Sequence, residues 1–353
     1  MSTTSQSMRT IAMASLLTVG GLLVLSGTSY SQSPLRITYV SYGGTGQDAQ
    51  IKAWQEPYTA KNPNITFTNT SPPDPAQVKA QVMTKAVQWN VVTTAPYLAQ
   101  QNCGTLYEKL SIPGLDMSQF PKGVIGECYV ADFRYSLVFS YSADKWPDPA
   151  KAPKTLADFF DTKKFPGKRG VVRAVQDGLL EQALLAEGVA ADKMYPLDVE
   201  RALKKWATIK DDTVWAANPG ALLQLITSKQ VDMQFLVQAR SQAALDAGAN
   251  MVPVWDTTVT SVDALAVPKG SPNLDEIQKF LSFVMQPDQQ ARMATLAGIG
   301  ASNLKAVPTY TANGNKVNAF GPANTGKTLQ VDFDWWSKNF NQTVERFTQW
   351  LNS

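Results

Sequence analysis

The chain contains no histidine and only two cysteines, Cys103 and Cys128. That removes Ser-His-Asp, Cys-His and His-metal chemistry. A carboxylate pair or a Ser-Lys site needs no histidine. The sequence has no GxSxG, however, and no SxxK followed by matching partners. Neither an enzyme, nor a metal site, nor a cofactor is expected. The cysteines lack CxxC spacing and suit a disulfide in an oxidising compartment; the alternative is two separate buried thiols. A bridge would stabilise the fold by about 3 kcal/mol in the chain-entropy picture. The stretch SYGGTGQD (41–48) follows a strand-like run and opens a helix. Glycines there let a ligand approach the backbone, and a helix N-terminus favours a negative group. It is not GxGxxG, so a dinucleotide is not indicated, and a plain tight turn is the alternative.

Elements that could position such groups alternate along the chain. LRITYV (35–40), ITFTN (65–69) and VVTT (91–94) read as strands. Between them lie helical patterns, one carrying Ile51 and Trp54, the other over 74–87 with Val78, Val82 and Met83. This order argues for a mostly parallel sheet covered by helices. LVFSY (137–141) reads as a strand, and Pro147, Pro149 and Pro153 then break the chain. A second alternating unit follows: the capping box Thr155 to Asp158, VVRAV (171–175), a helix over 179–187, a helix capped by Asp198, VWAA (214–217) and DMQFLV (232–237). ALAVP (264–268) is a further strand, followed by helices over 274–285 and 287–297. An amphipathic helix over 332–351 carries Trp335, Trp336, Phe340, Val344, Phe347 and Leu351.

A chain of 353 residues exceeds one ordinary core and fits two lobes. Hydrophobic content of 44% and charged content of 17% are globular values. A net charge of +3 without a Lys/Arg-rich run gives no electrostatic footprint for nucleic acid. The run Lys163, Lys164, Lys168 and Arg169 reads as a solvated loop. At the N-terminus, Arg9, the apolar stretch 11–25, and Ser29 and Ser31 read as a signal peptide over 1–31. An uncleaved anchor is the alternative.

Four segments carry a family likeness: TLADFFDTKKFPGKRG (155–170), VVRAVQDGLLEQALLAEG (171–188), DKMYPLDVERALKKWATIK (192–210) and VDMQF (231–235). They resemble the second lobe of periplasmic solute-binding proteins of the spermidine/putrescine type, the ligand-capturing components of bacterial ABC importers. The resemblance covers nearly all of the chain after residue 34. It implies an α/β, two-lobed periplasmic-binding-protein fold of type II, each lobe a mainly parallel sheet flanked by helices. It places lobe 1 at 35–140 plus about 262–305, and lobe 2 at about 141–261 plus 306–353. A monomer in the periplasm would close by a hinge around a small organic solute and deliver it to an inner-membrane ABC permease.

The resemblance also implies where the cleft is. The turn after the first strand presents Tyr42, with Gly43, Gly44 and Thr45. Asp177 starts the helix after the second lobe's first strand. Gln238 and Arg240 follow VDMQF, and Asp263 precedes the strand returning to lobe 1. Carboxylates pair with ammonium groups and aromatic rings cover methylene chains, so a polyamine-like cationic or zwitterionic solute is the expectation. Arg173 and Arg240 suit a carboxylate and point to the alternative, an amino-acid derivative or opine. Either arginine could instead be solvated or bridge the lobes, and Asp263 could be a cap. Trp255, after the strand-like MVPV, is a candidate cleft aromatic or a core residue. A ferric-ion binder would need clustered tyrosines; Tyr42, Tyr97, Tyr135 and Tyr141 are present, but no adjacent Tyr-Tyr pair is.

Overall fold

The structure, a computed structural model, describes residues 34–322, 324 and 327–353. The signal peptide read over 1–31 lies outside them. Within them, β-branched runs become strands where the pattern places them. β1 (Leu35–Val40) lies between β2 (Ile65–Thr70) and β3 (Val91–Thr94), parallel to both. Parallel neighbours need crossover connections, and helices supply them. The first is a helical stretch over 44–61 whose middle, Ile51–Gln55, winds as a π-helix. It buries Trp54 completely, and the indole donates to the Gln289 carbonyl at 3.1 Å. The second crossover helix, Pro75–Met83, is capped by Asp74. It stops short of the expected residue 87 because Lys85 takes a left-handed φ of 56°.

The centre of the sheet is built differently. β4 (Val130–Ser142) has 13 residues, and the strand numbered β9 (Thr257–Ala266) has 10; the two are antiparallel. The end of β9 pairs with β3, Val92 opposite Ala266. From Leu137 onward β4 pairs instead with β7 (Met233–Val237). Beyond β7 lie β5 (Arg169–Val172) and β6 (Thr213–Ala216), all three parallel. β8 (Met251–Pro253) covers the tip of β4, and β10 (Lys327–Gln330) runs parallel to β9. The order is β2-β1-β3-β9-β4-β7-β5-β6. Two mainly parallel halves, each flanked by helices, are therefore joined by two long crossing strands. LVFSY is only the second half of β4, and ALAVP only overlaps the end of β9.

Each half has its own aromatic packing. Beside β1, Phe280 lies 4.9 Å from Phe67 and 5.1 Å from Tyr58. Beside β7, Phe159 and Phe235 lie 4.2 Å apart, and Trp206 lies 4.8 Å from Phe160. The C-terminal helix Phe333–Asn352, capped by Asp332, reaches both. Its Phe340 stacks on Tyr97 at 4.6 Å, and its Trp350 meets Trp215 edge-on at 5.6 Å. The C-terminal helix thus packs on both halves. Cys103 and Cys128 form a disulfide.

The solvated reading of the basic run fails at Arg169. This side chain is fully buried. Its guanidinium donates to the carbonyls of Phe159 at 2.9 Å, Gly167 at 2.6 Å and Asp161 at 3.3 Å. Those carbonyls end a short helix and a turn, and the planar fork of arginine reaches all three at once; the Asp161 carbonyl also accepts from the Phe165 amide at 2.9 Å. Arg169→Met should lower unfolding stability by about 3 kcal/mol, because buried carbonyls would lose their donors. Urea denaturation checks this; an unchanged midpoint would show the contacts to be dispensable.

Candidate functional site

Three carboxylates converge where the crossing strands meet the second half. On β4 and β9, Phe133 lies opposite Asp263 and Tyr135 opposite Ser261. Cross-strand partners share a face and alternate residues repeat it, so these four side chains look the same way. Tyr135 donates from its phenol to Asp177 Oδ1 at 3.2 Å. Asp177 ends a 3-10 turn, Val175–Asp177, that precedes the helix Leu179–Ala186. The turn is pinned by Gly178, whose φ is 99°. A Cβ there would stand 2.4 Å from Val259 Cγ1, so only glycine lets the turn lie against β9. Asp132, fully buried, sits at the bulge where β4 shifts register between Ala131 and Phe133. Gln50 donates to its Oδ2 at 2.5 Å, while Oδ1 has no partner.

The electrostatics follow from burial without compensation. Among the described residues, none of these carboxylates is in an ion pair. Burial, then the charge of Asp177, pushes Asp263 up to about 7. Burial pushes Asp177 up to about 6, against the Tyr135 hydrogen bond. Burial, then Asp263, holds Asp132 well above its ordinary range. Desolvation favours the neutral acid, and a neighbouring anion adds to it.

Tyrosines wall this acidic patch. Tyr42 leaves the end of β1 through the turn at Gly43, whose φ is 76°. The residue is 59% exposed. Enclosure by the surrounding protein, then the charges of Asp263, Asp177 and Asp132, nevertheless raise its phenol. Tyr42 also lines a hollow of about 150 Å3 together with Tyr97 and Tyr107. Gly44 and Thr45, also exposed, open the helix behind it. Tyr97, just past β3, is buried near Asp177, Tyr42 and Asp263. Its stack on Phe340 holds it in place. By contrast, a fourth buried acid, Glu181, is built into the scaffold. It accepts from Tyr195 at 2.6 Å and from the Trp336 indole at 3.0 Å.

The structure places Tyr42, Asp177 and Asp263 near one another. It adds Asp132, Tyr97 and Tyr135. Asp132 and Tyr135 fall in the half of β4 that the pattern did not register, where polar residues interrupt the apolar run. Tyr97 had only the signal of an aromatic directly after a strand end. Gln238 opens the helix Gln238–Asp246 and is fully buried. Its Oε1 accepts from Ser136 at 3.4 Å, and its Nε2 is unpartnered. Arg173, just after β5, and Arg240, in the first turn of that helix, are both exposed; neither guanidinium takes part in an ion pair among the described residues. Trp255 is not with the acids. It precedes Asp263 by eight residues, roughly 25 Å of extended chain. It lines a separate hollow of about 650 Å3 with Pro253, Asn313 and Lys316. That hollow, like another of about 330 Å3 around Asp144 and Lys229, lacks the unpaired acids.

Comparison with known proteins identifies the family. Residues 53–319 match the family of bacterial extracellular solute-binding proteins. The chain is 29% identical to a gamma-aminobutyric acid-binding protein of Pseudomonas aeruginosa, over 93% of its own length and 94% of the relative's. Among solved structures, the Atu4243-GABA receptor superposes with a TM-score of 0.81 at 33% identity, covering 90% of this chain and 97% of that one. MotA of A. tumefaciens B6, in complex with glucopine, gives a TM-score of 0.75 at 29% identity, covering 90% of this chain and 100% of that one. The chain belongs to the bacterial extracellular solute-binding protein family. It has the two-lobed fold and is a solute-binding protein of an ABC importer, not an enzyme. The spermidine/putrescine subtype is not what these relatives carry. Among the described residues, no helix is long and apolar enough to cross a membrane.

Proposed function

We propose that this member of the extracellular solute-binding family captures a zwitterionic amino-acid solute of the γ-aminobutyric acid or opine kind. Its ammonium sits on Asp263 and Asp177, and its carboxylate is taken by Arg173 or Arg240. The observation that carries this reading is the cluster of acids with no cation of its own. An ammonium supplies the missing charge and returns each acid to its ionised form. Tyr42, Tyr97 and Tyr135 cover the methylenes, and Gly43, Gly44 and Thr45 leave room for the solute at the turn. The exposed arginines give a bidentate partner to an acid head group, which a polyamine would leave unused. The names of the relatives favour the same solute class over a polyamine.

Lobe 1 in this reading holds β1, β2 and β3, and lobe 2 holds β5, β6 and β7. The hinge lies in the middle of β4 and β9, near Ser136 and Thr260. The solute bridges the lobes and shifts the population toward the closed form. The protein works as a periplasmic monomer, and an inner-membrane ABC permease reads the closed form. Titration calorimetry with γ-aminobutyric acid and putrescine tests the solute class. The amino acid is expected to bind at least about tenfold more tightly, since the diamine has no group for an arginine. Tighter binding of putrescine would restore the polyamine reading.

A further inference from the structure

Of the nine tryptophans, Trp54 and Trp89 are buried. Six others lie against another aromatic ring. Trp255 is the exception. It is half-exposed, and among the described residues it has neither an aromatic neighbour nor a hydrogen bond from its indole. Its backbone is pinned on both sides. The Val254 amide donates to the Phe139 carbonyl at 2.9 Å, and Asp256 Oδ2 accepts from the Leu156 amide at 2.9 Å. A large ring with an open N–H, held in place by its neighbours, is a preorganised platform for a ligand. The hollow of about 650 Å3 that it lines has two kinds of residue. One part is apolar: Leu245, Val252, Pro253 and Trp255 itself. The other is amide: Asn250, with Asn313 and Asn315 of the short helix Ala312–Val317. Asn313 ties that helix to the one that ends at Asp246, donating to Asp246 Oδ1 at 2.9 Å. Asn250 donates to Asp144 at 2.8 Å and Asn315 to the Tyr310 carbonyl at 3.4 Å. Nothing among the described residues donates to the side-chain oxygen of either.

Charge narrows the ligand. No Asp or Glu lines the hollow, and its one ionic residue, Lys316, is exposed and donates to Asn313 Oδ1 at 3.3 Å. A zwitterionic amino acid would find no carboxylate for its ammonium here. A purely apolar ligand would cover the asparagine oxygens without giving them donors. Both parts suit an uncharged ring with an apolar C–H face and a rim of hydroxyls. The face lies on the indole. The hydroxyls donate to the asparagine oxygens and accept from Trp255 Nε1 and Lys316 Nζ. The space is about four times the roughly 150 Å3 that holds benzene in an engineered cavity, which leaves room for two such rings. We propose that this hollow is a saccharide-binding site, separate from the amino-acid cleft, in which a hexose ring stacks on Trp255. The hexose belongs either to a free sugar or to a glycan chain. The site does not rest on the amino-acid reading above.

The test is a titration followed by saturation-transfer NMR, with cellobiose and with N,N′-diacetylchitobiose up to about 10 mM. At least one is expected to bind the wild-type protein, and excess γ-aminobutyric acid should not displace it. Trp255→Ala should weaken binding about tenfold or more, and Trp255→Phe only about threefold, since a smaller ring keeps part of the platform. Asn315 is exposed, so Asn315→Ala probes the site without endangering the fold. A loss of about fivefold is expected there from one missing hydrogen bond. Retention on insoluble peptidoglycan that disappears in Trp255→Ala would make a wall glycan the source. Binding of the free disaccharides alone would make it a free sugar, and either result supports the site. Binding of neither disaccharide would overturn it. So would affinity unchanged in both Trp255→Ala and Asn315→Ala, or displacement by γ-aminobutyric acid, which would put the sugar in the cleft. None of these failures touches the amino-acid reading.

Discussion

Asp263→Asn is expected to weaken γ-aminobutyric acid binding by at least about 30-fold, yet leave the unliganded protein at pH 8 no less stable than wild type. The loss follows from removing one partner of a desolvated charge pair, which costs about 2 kcal/mol or more. The second half of the expectation is the distinctive one. A buried acid pushed up to about 7 is one whose charge the folded protein resists. Asparagine keeps the shape and removes that charge. A structural acid, such as one paired with an arginine, would behave the opposite way, losing stability on neutralisation. Calorimetry for affinity and thermal melting for stability separate the cases. A destabilised apo protein with unchanged affinity would make Asp263 a scaffold residue.

Acidification should weaken binding of the same solute by about 100-fold between pH 8 and pH 5. At pH 5 an acid titrating near 7 is about one per cent ionised, and an ammonium needs the ionised form. Asp177, pushed up to about 6, adds to the loss. The two lie close enough to titrate as a pair, so the midpoints read from the profile belong to the pair. The solute stays zwitterionic throughout, and its own titration does not intrude.

The apo protein should show the reverse trend. Acids with raised native values contribute stability that is complete below their unfolded values near 4. That contribution fades as pH rises through 6 to 7. Asp177, Asp263 and Glu181 all act in this direction. The melting temperature without solute should therefore fall from pH 5 to pH 8, while the stabilisation gained from a fixed concentration of solute grows. Affinity constant over this range would mean that the acids do not meet the ammonium.

How much of this was visible in sequence depended on where each element sits. Strands rich in β-branched residues, such as LRITYV and VVTT, declare themselves by composition. The crossing strands do not. The segment VADFRYS mixes polar and apolar residues, and a bulge at Asp132 breaks the period. β9 begins TTVTSVD, strand-compatible but polar. The parts of the strands hardest to read were thus the parts that carry the site. The expectations for Asp263, Asp177 and Tyr42 came from family likeness, which addresses positions along the chain where periodicity is silent. Trp255 shows the limit of neighbourhood reasoning: it lies close in sequence to β9, but at the end remote from Asp263. Arg169 shows another limit. Its burial is decided by three carbonyls brought together by the turn before β5, and no feature of a basic run announces that.

The most direct test is a crystal structure of the protein with γ-aminobutyric acid bound. The ammonium nitrogen should lie about 2.7–3.0 Å from carboxylate oxygens of Asp263 or Asp177, with the solute's carboxylate on Arg173 or Arg240. A solute found in the hollow beside Trp255, or with its carboxylate end toward Asp263, would contradict the assignment of the acidic cluster as the ammonium site.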